Sequence, residues 1–178
     1  MALRKIVTDG DPVLLKHCKP VDKFDARLHE LLDDMAETMY NAEGVGLAAP
    51  QVGIIRRAVV IDVTEDRSGL VELINPEIIE RSEETQYGTE GCLSFPELYG
   101  YVTRPKTVKF RAQDRNGEFY EKEVSDLFAR AVCHELDHLD GRVLPENIEE
   151  PYVPEEDDED ENAAARRRRR SKQSDTQE

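Results

Sequence analysis

Apolar and polar positions repeat along the chain with two periods, and the change of period separates helices from strands. Between residues 24 and 44 apolar residues recur every three or four positions with acidic residues between them, which predicts an amphipathic helix ending near Gly44. A short helix capped by Asp11 is predicted before it, with Pro12 in its first turn. Later segments rich in β-branched and aromatic residues predict antiparallel strands, at 57–63, 70–79, 101–103, 106–112 and 118–124.

The last predicted helix is apolar nearly all round. It begins near Ser125 or Asp126, either of which can cap it, and runs to about Asp140, where Gly141 provides the stop. A helix with so little polar surface is typical of a core. The order of helix, strands and one buried helix predicts an α+β fold, in which antiparallel strands pack around this central helix.

Charge limits the partners that the chain can bind. Its 178 residues include 24 Lys and Arg against 39 Asp and Glu, a net charge of −15. This charge disfavours nonspecific association with DNA or with an anionic membrane surface. No apolar run approaches the roughly 20 residues of a membrane span, and the N-terminus turns polar before a signal peptide develops. We therefore expect a cytoplasmic protein without a DNA or membrane partner.

The composition changes sharply after Pro154. An unbroken acidic run over 155–161 is followed by three alanines and an arginine run over 166–170. A segment with so much charge and so few apolar residues cannot build a core. The sequence therefore predicts one folded domain over 1–154 and a disordered charged tail over 155–178.

The central helix carries His134, Glu135, Leu136, Asp137 and His138 in succession. Because each helical residue rises about 1.5 Å, the two histidines stand roughly 6 Å apart on one face and can reach one metal ion. Glu135 lies beside the pair, where it can act as a base. Burying these polar residues without a cation would be costly, so we favour a metal site over two histidines that are merely hydrogen-bonded.

A catalytic metal of this kind needs a third protein ligand. The extended metzincin pattern would place a histidine at position 144, which is Leu144, and the glutamates that follow lie too close to match the thermolysin pattern. A cysteine is the remaining candidate, because a thiolate binds divalent metals well. Cys92, in a polar segment with a glycine, is favoured over Cys133, which precedes His134 and points about 100° away around the helix.

A third segment, residues 44–51, is dense in small residues and reads Gly-Val-Gly-Leu-Ala-Ala-Pro-Gln. Small residues would let a substrate backbone lie close to the chain, and the Lys-Ser/Thr ending of a phosphate-binding loop is missing. The amide of Gln51 could donate a hydrogen bond to a developing oxyanion. A polar loop residue that holds its own turn would explain the same glutamine.

Taken together and in order, the segments 44–51, 90–94 (Glu-Gly-Cys-Leu-Ser) and 134–138 (His-Glu-Leu-Asp-His) resemble the three signature motifs of peptide deformylases. The resemblance extends from Asp11 through about Leu144. It implies a metal-dependent hydrolase that removes the N-formyl group from formyl-methionyl nascent peptides and releases formate. The implied cofactor is one Fe2+ per chain, with Ni2+, Co2+ or Zn2+ as possible substitutes.

The same resemblance implies a role for each motif residue. The implied metal ligands are Cys92, His134 and His138. The groups implied to act on the substrate are Glu135 as general base and acid, Gln51 and the Leu93 N–H as an oxyanion hole, and Gly46 as a partner of the peptide backbone. Arg104 resembles the family arginine that pairs with Glu90.

A pocket for the methionine side chain is expected on the histidine face of the central helix. Leu127 and Ala131 lie on that face toward the helix N-terminus, and with Val45 they would form an apolar lining.

Two other functions and one further partner stay open. A zinc endopeptidase could use the same histidines, although such enzymes carry a histidine or a carboxylate where this chain has Cys92. An inactive, deformylase-like binding protein is disfavoured because every expected catalytic side chain is present. The arginine run at 166–170 could contact ribosomal RNA transiently, whereas the adjacent acidic run favours a solvated tail that neutralises itself.

Overall fold

A computed structural model describes residues 2–153 of the chain. The α-helices of this part are α1 (Ala26–Asn41), α2 (Asp126–Leu139) and α3 (Leu144–Asn147). Short 3-10 helices span Pro12–Leu15 and Ala49–Val52. The strands are β1 (Gly46–Ala48), β2 (Ala58–Ile61), β3 (Val71–Arg81), β4 (Thr85–Cys92), β5 (Phe95–Pro105), β6 (Thr107–Gln113), β7 (Phe119–Ser125) and β8 (Glu150–Pro151).

The strands form two antiparallel sheets. Five of them pair in the order β1-β2-β3-β6-β7, and the other three pair in the order β4-β5-β8. The strands predicted at 106–112 and 118–124 are present as β6 and β7, and in the turn between them Gly117 adopts φ 84° with its N–H donating to Asp114 O at 3.0 Å. The predicted α+β class is confirmed.

The helix α1 begins as the sequence predicts and ends earlier. Asp25 caps its N-terminus, because the carboxylate accepts the N–H of Leu28 at 3.1 Å. The helix ends at Asn41 rather than near Gly44. Glu43 adopts φ 57°, and the Gly44 N–H closes the end by donating to Met39 O at 3.0 Å. Glu43, in the left-handed conformation, therefore ends the helix, a role that the sequence pattern assigned to Gly44.

Helices α1 and α2 cover opposite faces of the five-stranded sheet. On β2, Ala58 and Val60 pack in the α1 cluster, while Val59 and Ile61 pack in the α2 cluster. A strand that is covered on both faces needs apolar residues at every position, and β2 is Ala-Val-Val-Ile.

Helix α2 occupies the centre of the fold. It contacts β1, β2, β6 and β7 of the five-stranded sheet and β5 of the other sheet. The predicted packing of antiparallel strands around a buried helix is confirmed. The first turn of α2 is an exception to this burial, because Leu127 is 50% exposed. From Ala129 to the end of the helix every residue except the half-buried Asp137 is buried.

The C-terminal end of α2 matches the predicted stop. Gly141 adopts φ 73°, its N–H donates to His138 O at 3.1 Å, and the Arg142 N–H donates to Asp137 O at 2.9 Å. A Cβ at position 141 would stand 2.5 Å from Leu15 O, so a larger residue does not fit there.

The hairpin of β4 and β5 corrects the strand prediction. The sequence predicted one short strand at 101–103, whereas β5 covers Phe95–Pro105 and pairs with the unpredicted β4 over nearly its whole length. Residues of β4 are mostly exposed or half-buried, so this strand lacks the apolar alternation by which strands are recognised. The hairpin matters for function because Cys92 is the last residue of β4.

Two further predictions concern the charged tail and membrane-spanning segments. The tail predicted over 155–178 lies outside the described residues, so its disorder and the domain boundary at 154 stay predictions. Within 2–153, no helix is both long enough and apolar enough to cross a membrane.

Candidate metal centre

The end of β4 meets the histidine face of α2. Cys92 Sγ lies 3.2 Å from His138 Nε2, and one ligand atom from each of Cys92, His134 and His138 lies within 4.8 Å of the other two. Within residues 2–153 this is the one group of three or more such side chains with that spacing. Both histidines are buried and the cysteine is half-buried. The fold thus brings Cys92 to His134 and His138, which lie 42 and 46 positions later in the chain.

Glu90 determines which nitrogen of His134 faces the ligand group. His134 Nδ1 lies 3.0 Å from Glu90 Oε1, and an ionised carboxylate only accepts hydrogen bonds, so Nδ1 carries the proton. The lone pair of Nε2 is then free on the side of Cys92. This arrangement of carboxylate and imidazole is the usual one behind a metal-ligating histidine.

Two buried arginines hold Glu90. Arg104 donates from Nε to Oε2 at 2.8 Å and from Nη2 to Oε1 at 2.9 Å, and Arg130 Nη1 donates to Oε2 at 2.7 Å. Burial alone would raise the pKa of Glu90, but the hydrogen bonds from Arg104 and His134 outweigh it and hold the pKa well below its usual range. Glu90 is therefore anionic. Arg104 also donates from Nη1 to Asp137 at 2.7 Å, which connects β5 to α2.

Two buried polar atoms of the site lack a hydrogen-bond partner within residues 2–153, namely Glu135 Oε2 and His138 Nδ1. Burial lowers the pKa of His138 to about 3, so its imidazole is neutral and Nε2 can serve as a ligand. Burial raises the pKa of Glu135 to about 7, with His134 acting in the opposite direction. One thiol and two imidazoles are the donor set of a divalent transition metal, so the residues fit the implied cofactor.

Gln51 is held with its amide N–H₂ directed at the site. Its Oε1 accepts the N–H of Ala48 at 2.9 Å, and its Nε2 donates to Ser94 Oγ at 3.1 Å and lies 3.7 Å from Cys92 Sγ. Gln51 and Ser94 are both buried. Leu93 lies between Cys92 and Ser94 in the turn from β4 to β5, which places its backbone beside the ligand group.

A cavity of about 380 Å³ opens beside these residues. All three residues predicted for the substrate pocket line it. Ala131 is buried, whereas Val45 and Leu127 are 41% and 50% exposed and lie nearer the mouth. Gly46, Gln51, Glu90, Cys92, Leu93, His134 and Glu135 also line the cavity, while His138 and Arg104 lie buried behind it. Its size suits a small peptide side chain with the bond to be cleaved beside the ligand group.

Comparison with known proteins identifies the family. The family model for polypeptide deformylase matches residues 3–152. A peptide deformylase of Alkaliphilus metalliredigens is 55% identical over 148 residues, which are 83% of this chain and 98% of that protein. Peptide deformylase 1 of Bacillus subtilis is 49% identical over 156 residues, 88% of this chain and 96% of the relative. The chain belongs to the peptide deformylase family.

A solved structure agrees with this assignment. The crystal structure of a Thermotoga maritima peptide deformylase superposes with a TM-score of 0.80 at 47% identity, covering 83% of this chain and 99% of the other. As a member of the peptide deformylase family, the chain is a metal-dependent hydrolase that removes the N-formyl group of nascent polypeptides. The alternatives of a zinc endopeptidase and of an inactive binding protein are set aside.

Two residues of this deformylase site were not among the sequence predictions. Ser94 lies within the second motif and accepts the Gln51 amide, which the pattern of the motif did not indicate. Arg130 precedes the histidine motif, and its position four residues before His134 placed it on the same face of the helix. That spacing is the signal by which it could have been found.

Proposed function

We propose that Cys92, His134 and His138 hold one divalent metal ion per chain and that Glu135 moves the proton during deformylation. One thiol and two imidazoles converge beside Glu135 Oε2, which has no hydrogen-bond partner within residues 2–153, and this observation carries the assignment. When bound, the metal supplies positive charge that acidifies water and polarises the formyl carbonyl. All other steps use groups of the chain.

Glu135 accepts and returns one proton. Water adds its oxygen to the formyl carbon while Glu135 takes the released proton, and the carbon–nitrogen bond breaks as Glu135 passes that proton to the leaving nitrogen. The products are formate and a peptide with a free α-amine. The carboxylate lies against Gly46 on one side, and among the described residues no group bonds to its Oε2, which is available for this transfer.

The negative charge on the formyl oxygen needs donors that are already in place. We assign this role to the Gln51 amide and the Leu93 N–H. The bonds of Gln51 to Ala48 and Ser94 fix the amide before substrate arrives, which avoids reorganisation during the reaction. Gly46 pairs with the peptide backbone. Val45, Leu127 and Ala131 receive the methionine side chain, because they give the cavity its apolar wall.

For the metal we propose Fe2+, with Ni2+, Co2+ or Zn2+ as functional replacements. One thiolate and two imidazoles bind all four ions, and the general affinity order places zinc above iron, so availability in the cell decides the occupant. Metal analysis of protein purified without oxygen tests this directly. Zinc as the main metal in such a preparation would contradict the assignment to iron.

The proposed roles are tested by formate release from formyl-Met-Ala, with acetyl-Met-Ala as the control substrate. We expect cleavage of the formyl peptide alone. Glu135→Gln should lower kcat by about 10²- to 10⁴-fold, the usual contribution of a general acid and base, while metal content stays constant. Glu123→Gln, an exposed glutamate on β7, is the matched control. A Glu135→Gln enzyme of normal rate would remove Glu135 from the mechanism.

We propose a cytoplasmic enzyme that acts where nascent chains leave the ribosome. For residues 155–178 one hypothesis to be tested is that the arginine run 166–170 contacts ribosomal RNA. Each such contact would release counterions. The hypothesis predicts that deletion after Pro154 weakens co-sedimentation with ribosomes most strongly at low salt. Equal co-sedimentation of the full and shortened chains at every salt concentration would support a solvated tail instead.

A further inference from the structure

We infer that Arg130 is a positioning residue of the metal centre, which acts by fixing Glu90 as the acceptor of His134 Nδ1. The inference rests on the proposed ligation of the metal by His134. Arg130 lies outside the three motifs, yet it is 7% exposed and shares the helix face of His134 one turn earlier.

Every donor that Arg130 uses binds the hairpin that carries Cys92. Nη1 donates to Glu90 Oε2 at 2.7 Å and to Val102 O at 2.9 Å, and Nη2 donates to Gln86 O at 3.3 Å. Arg130 itself belongs to α2. One guanidinium therefore connects the helix that supplies two ligands to both strands of the hairpin that supplies the third.

The hairpin leaves room for this guanidinium at Gly88. A Cβ at position 88 would stand 3.2 Å from Arg130 Nη2 and 3.6 Å from its Cζ. Such a contact is tighter than ordinary van der Waals packing, so a larger residue at 88 would push the guanidinium away from its acceptors. Glycine at position 88 therefore leaves the space that the buried Arg130 guanidinium needs to reach its acceptors on β4 and β5.

Arg104 does not replace the contribution of Arg130. Arg104 belongs to β5, next to β4, so its bidentate pair with Glu90 lies within the hairpin, and its link to α2 runs through Asp137. Arg130 reaches the same carboxylate from α2, one turn from His134. With Oε2 bound by both arginines, the carboxylate plane is fixed and Oε1 is presented to His134 Nδ1. Loss of Arg130 leaves Glu90 held by Arg104 alone, from within the hairpin, so the carboxylate is no longer fixed directly to α2 and its distance from His134 Nδ1 can increase.

The test compares variants by the rate at which the cobalt-substituted full-length protein loses its metal to a chelator, followed by visible absorption. Arg130→Met keeps the length of the side chain and removes its charge, and we expect cobalt loss at least tenfold faster. Arg130→Lys retains one donor toward Glu90 and should recover part of the difference. Arg57→Met is the matched control, because Arg57 binds α2 at Leu139 O and Asp140 without touching Glu90.

The outcomes separate this inference from the proposed ligation. Cobalt loss at the normal rate from folded Arg130→Met protein would overturn the inference, and so would equal acceleration in Arg57→Met. If Arg130→Met does not fold, the test uses Gly88→Ala and Arg130→Lys, because both keep the charge and disturb only the geometry. Cobalt loss at the normal rate from both variants would then overturn the inference. Full cobalt binding by His134→Ala would instead refute the proposed ligand set, whatever Arg130 does.

Discussion

Gly46 and Glu135 are in contact at the wall of the substrate cavity. A Cβ at position 46 would stand 2.5 Å from Glu135 Oε1 and 2.9 Å from its Cγ. Real side chains do not approach so closely, so the carboxylate takes its place only because residue 46 is a glycine. A residue of β1 thus sets the position of the proposed proton carrier on α2.

Gly46→Ala should therefore displace Glu135 from its working position. We expect kcat/KM for formyl-Met-Ala to fall by about 10²-fold, the cost of moving a catalytic group by roughly 1 Å. Metal content should not change, because the three atoms nearest to the new methyl group all belong to Glu135, which is not a metal ligand. The measurement is formate release, normalised to bound metal.

Gly69→Ala is the control for this substitution. A Cβ at position 69 would stand 2.5 Å from Thr64 Cγ2, an equally close contact located in an exposed loop outside the cavity. If both alanine variants lose activity to the same extent, the loss reflects general destabilisation and the role given to Gly46 is wrong.

Removal of the metal should lower the melting temperature. Metal at 100 times its dissociation constant stabilises the folded state by about 2.7 kcal/mol, which corresponds to roughly 5 to 11 °C for a domain of this size. Differential scanning calorimetry with and without chelator measures the shift. Cys92→Ser should abolish it. Cys133→Ser is the matched control, since Cys133 is a buried cysteine of α2 outside the ligand group.

Two results would contradict the role of Cys92 in this change of melting temperature. If Cys133→Ser also loses the response to chelator, or if Cys92→Ser keeps it in full, the thiol of residue 92 is not a ligand.

The histidine motif was predictable because its geometry is local. His134 and His138 lie four residues apart, and the helix period alone places them on one face with Glu135 beside them. The cap at Asp11 and the stop at Gly141 follow from residue types in the same way. None of these features depends on what the rest of the chain does.

The hairpin that carries Cys92 could not be found by the same means. Strand β4 owes its register to pairing with β5 rather than to an apolar face, so no apolar alternation supports the strand propensity of Thr85 and Tyr87, and Gly88 weakens it. Arg130 was missed because an arginine is ordinarily expected at a surface. It is buried here only because Glu90, from a distant part of the chain, meets it. Family resemblance supplied the pair of Arg104 with Glu90, which local patterns do not contain, but it did not supply Arg130.

The N-terminal segment gives a prediction about acid stability. The Ala2 N–H donates to Asp34 Oδ1 at 2.7 Å and Arg4 Nε donates to Oδ2 at 2.9 Å. These hydrogen bonds, the one from Ala2 above all, hold the pKa of Asp34 below its ordinary value although burial opposes them. An acid of this kind stabilises the fold above its unfolded pKa and loses that contribution as pH falls through its folded pKa.

Asp34→Asn should therefore destabilise the protein at pH 7, and its difference from the wild type should shrink as the pH falls below about 4. Urea unfolding at several pH values measures both curves. Asp22→Asn, at an exposed aspartate, should show a difference near zero throughout. A gap between wild type and Asp34→Asn that stays constant from pH 7 to pH 3 would contradict the assignment.

Ser94 gives a prediction about the oxyanion donors. Its hydroxyl accepts the Gln51 amide at 3.1 Å in a buried place, so Ser94→Ala leaves one N–H of Gln51 without an acceptor. An unsatisfied buried donor costs about 1 to 3 kcal/mol. The amide then loses its fixed direction toward the formyl oxygen, and because that contact strengthens in the transition state we expect kcat to fall about tenfold with little change in KM.

A double-mutant cycle shows whether Ser94 acts through Gln51. If it does, adding Ser94→Ala to Gln51→Ala lowers kcat no further, because the group that Ser94 orients is already gone. Ser82→Ala is the control, since that hydroxyl also accepts a backbone N–H, from Thr107 at 2.9 Å, but lies away from the cavity. Additive losses in the double variant would mean that Ser94 supports the site by a route independent of the glutamine.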